Sequence, residues 1–330
     1  MRRRTFRDTD LVTSAVGFGT WALGSDWWGE HEDPERLVAR ALDLGVTFFD
    51  TGDTYGQGHN EDLVGAALER SGRPRDAYEL STKFGYVIDA DRTAHRESER
   101  PHDWSPQHTR RALEASLRRL RTDHVDLYQL HNPRMDGIDA DGLFAELDAL
   151  RAEGKLRHYG VALGPKIGWR DEGVRALVQR PRLTSLQTVY NLLEQEPGAE
   201  FLDEAERHGA GIIARVPTSS GLLEGHLTPE HTFTGNDHRR HRPRSWLIEG
   251  LQKVDQLGFL LRDGERTLAQ AAFKYVLAQP AIGCVVHTVT TTAQLEEWAA
   301  AGGGAVPDLD EDELARVDEL YAAGFGLAPA

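Results

Sequence analysis

Asp33-Pro-Glu-Arg-Leu-Val-Ala-Arg-Ala-Leu-Asp-Leu-Gly45-Val-Thr-Phe-Phe-Asp-Thr-Gly52 is the stretch on which the fold turns. Asp33 can cap a helix, Pro34 suits its first turn, and Leu37, Val38, Ala41 and Leu42 fall on one side at helical spacing. Gly45 ends that helix. Val46-Thr-Phe-Phe-Asp50 then reads as a buried strand, because it is apolar and too short for a second helix, and Thr51-Gly52 closes it. The unit is helix, turn, buried strand.

The same alternation recurs outward in both directions. Val16-Gly-Phe-Gly19 is the first strand, and later strands are predicted at 79–84, 125–131, 158–163, 184–189, 211–216 and 282–287. Helical patterns separate them. The best has Ser105-Pro106 at its start, with Leu113, Leu117 and Leu120 on one face. Eight apolar strands alternating with helices predict an α/β chain whose parallel sheet is buried on both sides, a (β/α)8 TIM barrel. A doubly wound sheet is the alternative, but no Gly-x-Gly-x-x-Gly follows the first strand. Residues 1–330 read as a single domain, with a long loop after strand seven at 217–246 and an extra carboxyl-terminal helix.

Composition narrows the function. The 330 residues, 39% of them hydrophobic, suit one such barrel. Thirty-eight basic against 53 acidic residues leave a net charge of -15, which disfavours nucleic acid and anionic membrane surfaces as partners. A dinucleotide would meet the same repulsive field, so local donors must hold its phosphates. Cys284 is the only cysteine, so there is neither an internal disulfide nor a cysteine metal cage, and a reducing cytoplasm fits. The opening MRRRTFRDTD has no apolar stretch of signal-peptide length behind it, and no run approaches a membrane span. The patterns carry no signature of oligomeric state.

In such a barrel the chemistry gathers at the carboxyl ends of the strands. Asp50 ends strand two, Lys83 lies near the end of strand three, and His131 ends strand four, while Tyr55 sits five residues past Asp50 on a loop that can turn back over the mouth. Singly, such an Asp is as suited to capping a helix, such a Lys to facing solvent and such a His to a structural place. Their joint placement on consecutive strand ends points to proton transfer by a phenol. A tyrosine titrates near pH ~10, and lowering that by about 2 units takes roughly 2.7 kcal/mol of phenolate stabilisation. An ammonium ~4 Å away supplies about 4 kcal/mol at an effective dielectric near 20. Lys83 would stabilise phenolate, Asp50 would orient Lys83, and His131 would share a hydrogen bond with the phenol or the substrate oxygen.

Gly17-Phe-Gly-Thr-Trp21, Phe49-Asp50-Thr-Gly-Asp-Thr-Tyr55-Gly, Ser81-Thr-Lys83-Phe, Asp126-Leu-Tyr-Gln-Leu-His131, and Gln187 before Tyr190-Asn191 together resemble the aldo-keto reductase family, in order from about residue 4 to residue 300. Gly221-Leu-Leu-Glu-Gly-His-Leu-Thr228 and Phe233-Thr-Gly-Asn-Asp-His-Arg239 resemble the branch containing bacterial and potassium-channel β-subunit members. The resemblance implies a nicotinamide cofactor bound without a Rossmann fold, NADP(H) ahead of NAD(H), and hydride transfer to or from the carbonyl carbon of an aldehyde, ketone or sugar. It implies that Tyr55 is the general acid, Lys83 its pKa modifier, Asp50 the partner of Lys83 and His131 the substrate orienter. Gly19, Thr20, Trp21, Asp50, Gln187 and Arg215 would bind the cofactor, with Gln187 on the carboxamide and Arg215 beside the nicotinamide ring. Gly221, Leu222 and Arg239 would serve the phosphates, and Thr288, Thr290, Gln294 and Glu297 the adenosine end. Trp21, Trp28, Tyr86 and Asn132 would meet substrate.

The departures from the family pattern cluster on the cofactor. Gly160-Val161-Ala162-Leu163 stands where Gly-Val-Ser-Asn is usual, so two carboxamide contacts are missing. Arg215 replaces an aromatic ring, Thr290 replaces the cation that meets a 2′-phosphate, and Trp298 replaces an adenine-side Asn. His238-Arg239-Arg240-His241-Arg242 with Arg244 reads either as a solvated face or as a clamp on phosphate. Trp27, Trp28, Tyr86, Trp104 and Trp169 fall in loops able to wall the mouth for sugars or planar rings. A redox-neutral lyase or isomerase using the same four residues, and a nucleotide-sensing binding subunit, are the alternatives to a reductase.

Overall fold

In the first helix, α1 (Pro34–Asp43), the Asp33 side chain accepts from the Arg36 backbone N–H at 3.0 Å, and Leu37, Val38 and Ala41 are buried. Gly45 then turns with φ +77, a conformation costly for residues with a Cβ. The computed structural model describes residues 1–24, 30–88, 100–164 and 169–327. Trp27 and Trp28 lie outside the described residues.

Eight parallel strands close into a barrel: β1 (Val16–Gly19), β2 (Phe48–Asp50), β3 (Glu79–Phe84), β4 (Val125–His131), β5 (Leu156–Ala162), β6 (Ser185–Val189), β7 (Gly211–Arg215) and β8 (Ile282–Thr288). Helices intervene as the alternation predicts, among them α2 (His59–Arg70) and α3 (Pro106–Leu120). The Ser105 hydroxyl caps α3 through the His108 N–H at 3.2 Å. β2 starts two residues later than the apolar run suggests. The loop after β7 ends sooner than expected, since α4 (Arg244–Asp255) already begins at Arg244. The additional terminal helix is α5 (Glu311–Ala322). Among the described residues no helix is long and apolar enough to cross a membrane.

An antiparallel pair of short strands, Arg3–Thr5 and Val12–Ser14, precedes the barrel and was not anticipated. Phe6 and Leu11, from its turn, pack with Phe48, Leu127, Ile213, Cys284 and Val286 in one buried cluster. Each such side chain contributes about 1.5–3 kcal/mol of apolar burial.

Register sets the opposite end. Gly19 pairs with Asp50, Asp50 with Ser81, Lys83 with Gln129, and His131 with Ala162. Ala162 pairs with Gln187, Val189 and Val286 with Arg215, and Thr288 with Gly19. Residues far apart in sequence therefore ring one mouth.

Candidate active site

Period-two alternation turns Ser81 and Lys83 the same way on β3, and Gln129 and His131 the same way on β4. A buried polar layer results. Asp50 Oδ1 accepts from Ser81 Oγ at 2.8 Å and Gln129 Nε2 at 3.1 Å, while Oδ2 accepts from Lys83 Nζ at 2.6 Å and Gln187 Nε2 at 3.2 Å. Four donors thus surround one carboxylate. Lys83 Nζ donates also to the Thr51 carbonyl at 2.7 Å and stands 4.9 Å from the Tyr55 ring centroid. Burial pulls the Lys83 pKa down, but Asp50 and Tyr55 outweigh it and the net shift is upward, so the ammonium stays charged.

Tyr55 is delivered by the loop after β2, whose turn Tyr55–Gly58 has positive φ at Gly56 and Gly58. At Gly56 a Cβ would meet the Gly24 carbonyl oxygen at 2.2 Å, so only glycine fits there. His131 meets Tyr55 edge-on with centroids 5.6 Å apart, and its Nδ1 lies 3.3 Å from Thr54 Oγ1. Burial first, then Lys83, His102 and Arg215, push its pKa well below 6.5. The imidazole is neutral at neutral pH.

Asp50 and Tyr55 open on a cleft with about 990 Å3 of empty space including its mouth. Gly19, Thr20, Trp21, Gln187 and Arg215 line it near Tyr55; Gly221, Arg239, Thr288, Thr290 and Gln294 line the remainder. The long loop bridges it where His238 meets Trp21 edge-on at 5.6 Å. Burial brings His238 down to about 4, so this contact is uncharged at neutral pH.

Two expected cofactor contacts lie elsewhere. Leu222 is a core side chain against Gly250 of α4, since the apolar Gly-Leu-Leu turn faces inward. Glu297 accepts from Thr267 Oγ1 at 2.6 Å, tied to the capping residue of the helix before β8 rather than to the cleft. Tyr86 and Asn132 sit beside His131 but outside the cleft lining: Asn132 Nδ2 donates to the Tyr86 hydroxyl at 2.8 Å, and Tyr86 is edge-on to His131 at 5.2 Å. Trp104 stacks on His102 at 4.8 Å, and the Arg134 guanidinium covers Trp169 at 4.9 Å. Trp298 is buried, with His287 stacked on it at 3.9 Å.

The basic run folds largely onto its own loop. Arg239 pairs with Asp237 through Nε at 3.0 Å and Nη2 at 2.7 Å, and donates to the Ser220 carbonyl at 3.1 Å. Arg240 donates to the Gly235 carbonyl, Arg244 to that of His231, and Arg242 covers Trp246. Of these cations only Arg239 lines the cleft. Thr290 gives both its N–H and its hydroxyl to Gln294 Oε1, at 3.2 and 2.7 Å.

Ser220, Glu224, His226 and His287 line the cleft without having been singled out. Thr218 Oγ1 donates to Glu224 at 2.8 Å and lies 2.7 Å from His287 Nε2. Burial raises the Glu224 pKa, but His287 and Thr218 outweigh it and hold the carboxyl at about 2. His287 lies near the end of a barrel strand, the signal that found Asp50 and His131. Glu224 sits on a turn and carries no comparable signal.

A cleft that joins an acid/base mouth to a run of hydroxyl, amide and guanidinium donors fits a long, polar, anionic cofactor. A model of the aldo/keto reductase family matches residues 15–322. The chain belongs to that family of nicotinamide-dependent oxidoreductases. It is similar to the aldo-keto reductase YhdN of Bacillus subtilis, 29% identical over 330 residues, 95% of this chain and 92% of that protein. It is similar also to the NADH-specific methylglyoxal reductase of Escherichia coli, 25% identical over 94% of this chain and 96% of that one. Among solved structures, glycerol dehydrogenase AKR11B4 from Gluconobacter oxydans superposes with a TM-score of 0.81 at 26% identity, covering 99% of this chain and 97% of the other.

Proposed function

We propose that the chain interconverts a small carbonyl compound and its alcohol, with Tyr55 passing the proton. The observation that carries this is the buried Lys83 ammonium, held by Asp50 at 2.6 Å and placed 4.9 Å from the Tyr55 ring. In reduction Tyr55 gives its proton to the carbonyl oxygen while Lys83 stabilises the phenolate left behind. Asp50 fixes Lys83, and Ser81, Gln129 and Gln187 fix Asp50. His131, neutral and bonded at Nδ1, can offer Nε2–H to the same oxygen when Thr54 donates to Nδ1. A bound nicotinamide supplies or accepts the hydride. In oxidation the residues reverse their roles.

Gln187, Thr288, Thr290, Gln294 and Arg239 would hold the cofactor. Arg239 supports NADP(H) ahead of NAD(H), and its pairing with Asp237 together with the uncharged Thr290 keeps that margin narrow. Similarity to methylglyoxal reductase and glycerol dehydrogenase supports a small aldehyde, ketone or sugar as substrate. We read residues 1–330 as one catalytic domain acting in the cytoplasm, on small molecules rather than nucleic acid or membrane. Tyr55→Phe tests the assignment: turnover should collapse while nucleotide affinity stays within a few-fold. A variant that turns over a verified substrate at the wild-type rate removes Tyr55 from the mechanism.

A further inference from the structure

Arg215 is the cation at the reacting end that the proton chemistry leaves unused. It ends β7, half-buried on the cleft wall in company with Asp50, Tyr55 and Gln187. Its one hydrogen bond among the described residues runs from Nη2 to the Leu163 carbonyl at 3.1 Å. Among the described residues no carboxylate forms an ion pair with it. The acidic groups whose fields reach it are Asp50 and Glu194, and both are already engaged. Asp50 holds Lys83 at 2.6 Å, and Glu194 accepts from Asn191 Nδ2 at 2.8 Å and Ser219 Oγ at 3.2 Å. Burial lowers the Arg215 pKa, with Tyr55, Glu194 and Asp50 opposing, but a guanidinium starts so high that it stays protonated. With His131 neutral and Lys83 paired with Asp50, the Arg215 guanidinium is the excess positive charge on the cleft wall beside Tyr55, tempered by the field of Glu194.

That excess acts on whatever lies against Tyr55. Since Tyr55 protonates a carbonyl oxygen while hydride reaches the adjoining carbon, the hydride-bearing ring must lie within a few ångströms of the phenol, and so within the field of Arg215. A nicotinamide ring is neutral when reduced and carries one positive charge when oxidised. We infer that Arg215 makes the cleft discriminate between the two redox states of its cofactor, binding the reduced form more tightly and hastening release of the oxidised form. The inference rests on the reductase reading above. Because the 2′-phosphate lies at the distant end of the molecule, the bias should be the same for NAD(H) and NADP(H).

The test is equilibrium binding. Fluorescence titration gives the dissociation constants of NADH and NADPH, and displacement of the bound reduced form gives those of NAD+ and NADP+. The wild-type protein should bind each reduced nucleotide roughly tenfold or more tightly than its oxidised partner, the scale of one partly screened charge. Arg215→Met should bring that ratio most of the way to unity, chiefly by tightening the oxidised forms, and Arg215→Lys should preserve it. A wild-type ratio near unity overturns the inference even if the methionine variant fails to fold. So does a folded Arg215→Met protein whose ratio stays within about twofold of wild type. If neither nucleotide binds the wild-type protein at millimolar concentration, the reductase reading has failed, and this inference with it.

Discussion

Replacing Lys83 with methionine separates the two tasks assigned to its ammonium. The side chain is fully buried, with Nζ 2.6 Å from Asp50 and 4.9 Å from the Tyr55 ring centroid. At an effective dielectric of about 20, a unit charge at 4.9 Å from the phenol stabilises phenolate by about 3 kcal/mol. That is a loss of roughly 100- to 300-fold in kcat/KM. The same substitution strands the Asp50 carboxylate in the barrel interior, and breaking such a pair costs about 3–5 kcal/mol of stability. Asp50→Asn added to Lys83→Met removes the stranded charge and should regain most of that stability, because the asparagine oxygen can still accept from Ser81 or Gln129. Turnover should not return. Steady-state kinetics on a verified substrate, with thermal unfolding of both variants, measures the two effects separately. If the stable double variant turns over at the wild-type rate, the ammonium does not act on Tyr55.

Glu224, held at about 2, has a folded pKa below its unfolded value of 4.5, so its stabilisation is complete above about pH 4.5 and lost as pH falls through about 2. Glu224→Gln should therefore be less stable than wild type by up to about 3 kcal/mol at pH 6, the gap shrinking by about 2 kcal/mol at pH 3. Urea denaturation at the two pH values checks this, and a gap independent of pH counts against it. Thr290→Arg adds a cation where the Thr290 hydroxyl now donates to Gln294 and should favour NADPH over NADH by roughly tenfold or more. Paired titrations at low and high salt should show the gain weakening as salt rises, and a gain indifferent to salt argues against a phosphate contact.

The ring of strand ends was legible because it depends on one rule. Parallel strands of similar length bring their carboxyl ends to one mouth, so finding the strand that ends at Asp50 also placed Lys83 and His131. Elsewhere the period of the sequence says little. The hairpin strands Arg3–Thr5 and Val12–Ser14 are too short to alternate visibly, and Phe6 earns its burial only from the barrel above it. The cation run from His238 to Arg244 is plain in the sequence, but its engagement within the loop depends on a turn that swings Arg239 back onto Asp237 and on rings at Phe233 and Trp246. Composition could not foresee that most of this charge would be spent within its own loop.

That folding back changes how an acidic chain can hold a polyanion. With a net charge of -15 the long-range field opposes a dinucleotide, and the basic loop offers the cleft one guanidinium, already shared with Asp237. Arg215 is the other guanidinium on the cleft wall, at the reacting end, and Glu224 places a carboxylate on the wall. Affinity must then come from short-range donors along the cleft, which salt screens little, while the few charges that remain sort the ligands that enter. On the proposed reading Arg239 and Thr290 would act on the presence of a 2′-phosphate, and Arg215 on the redox state of the ring. Because the two ends carry separate charges, substitution at Thr290 should leave the reduced-to-oxidised ratio unchanged, and substitution at Arg215 should leave the NADPH-to-NADH ratio unchanged.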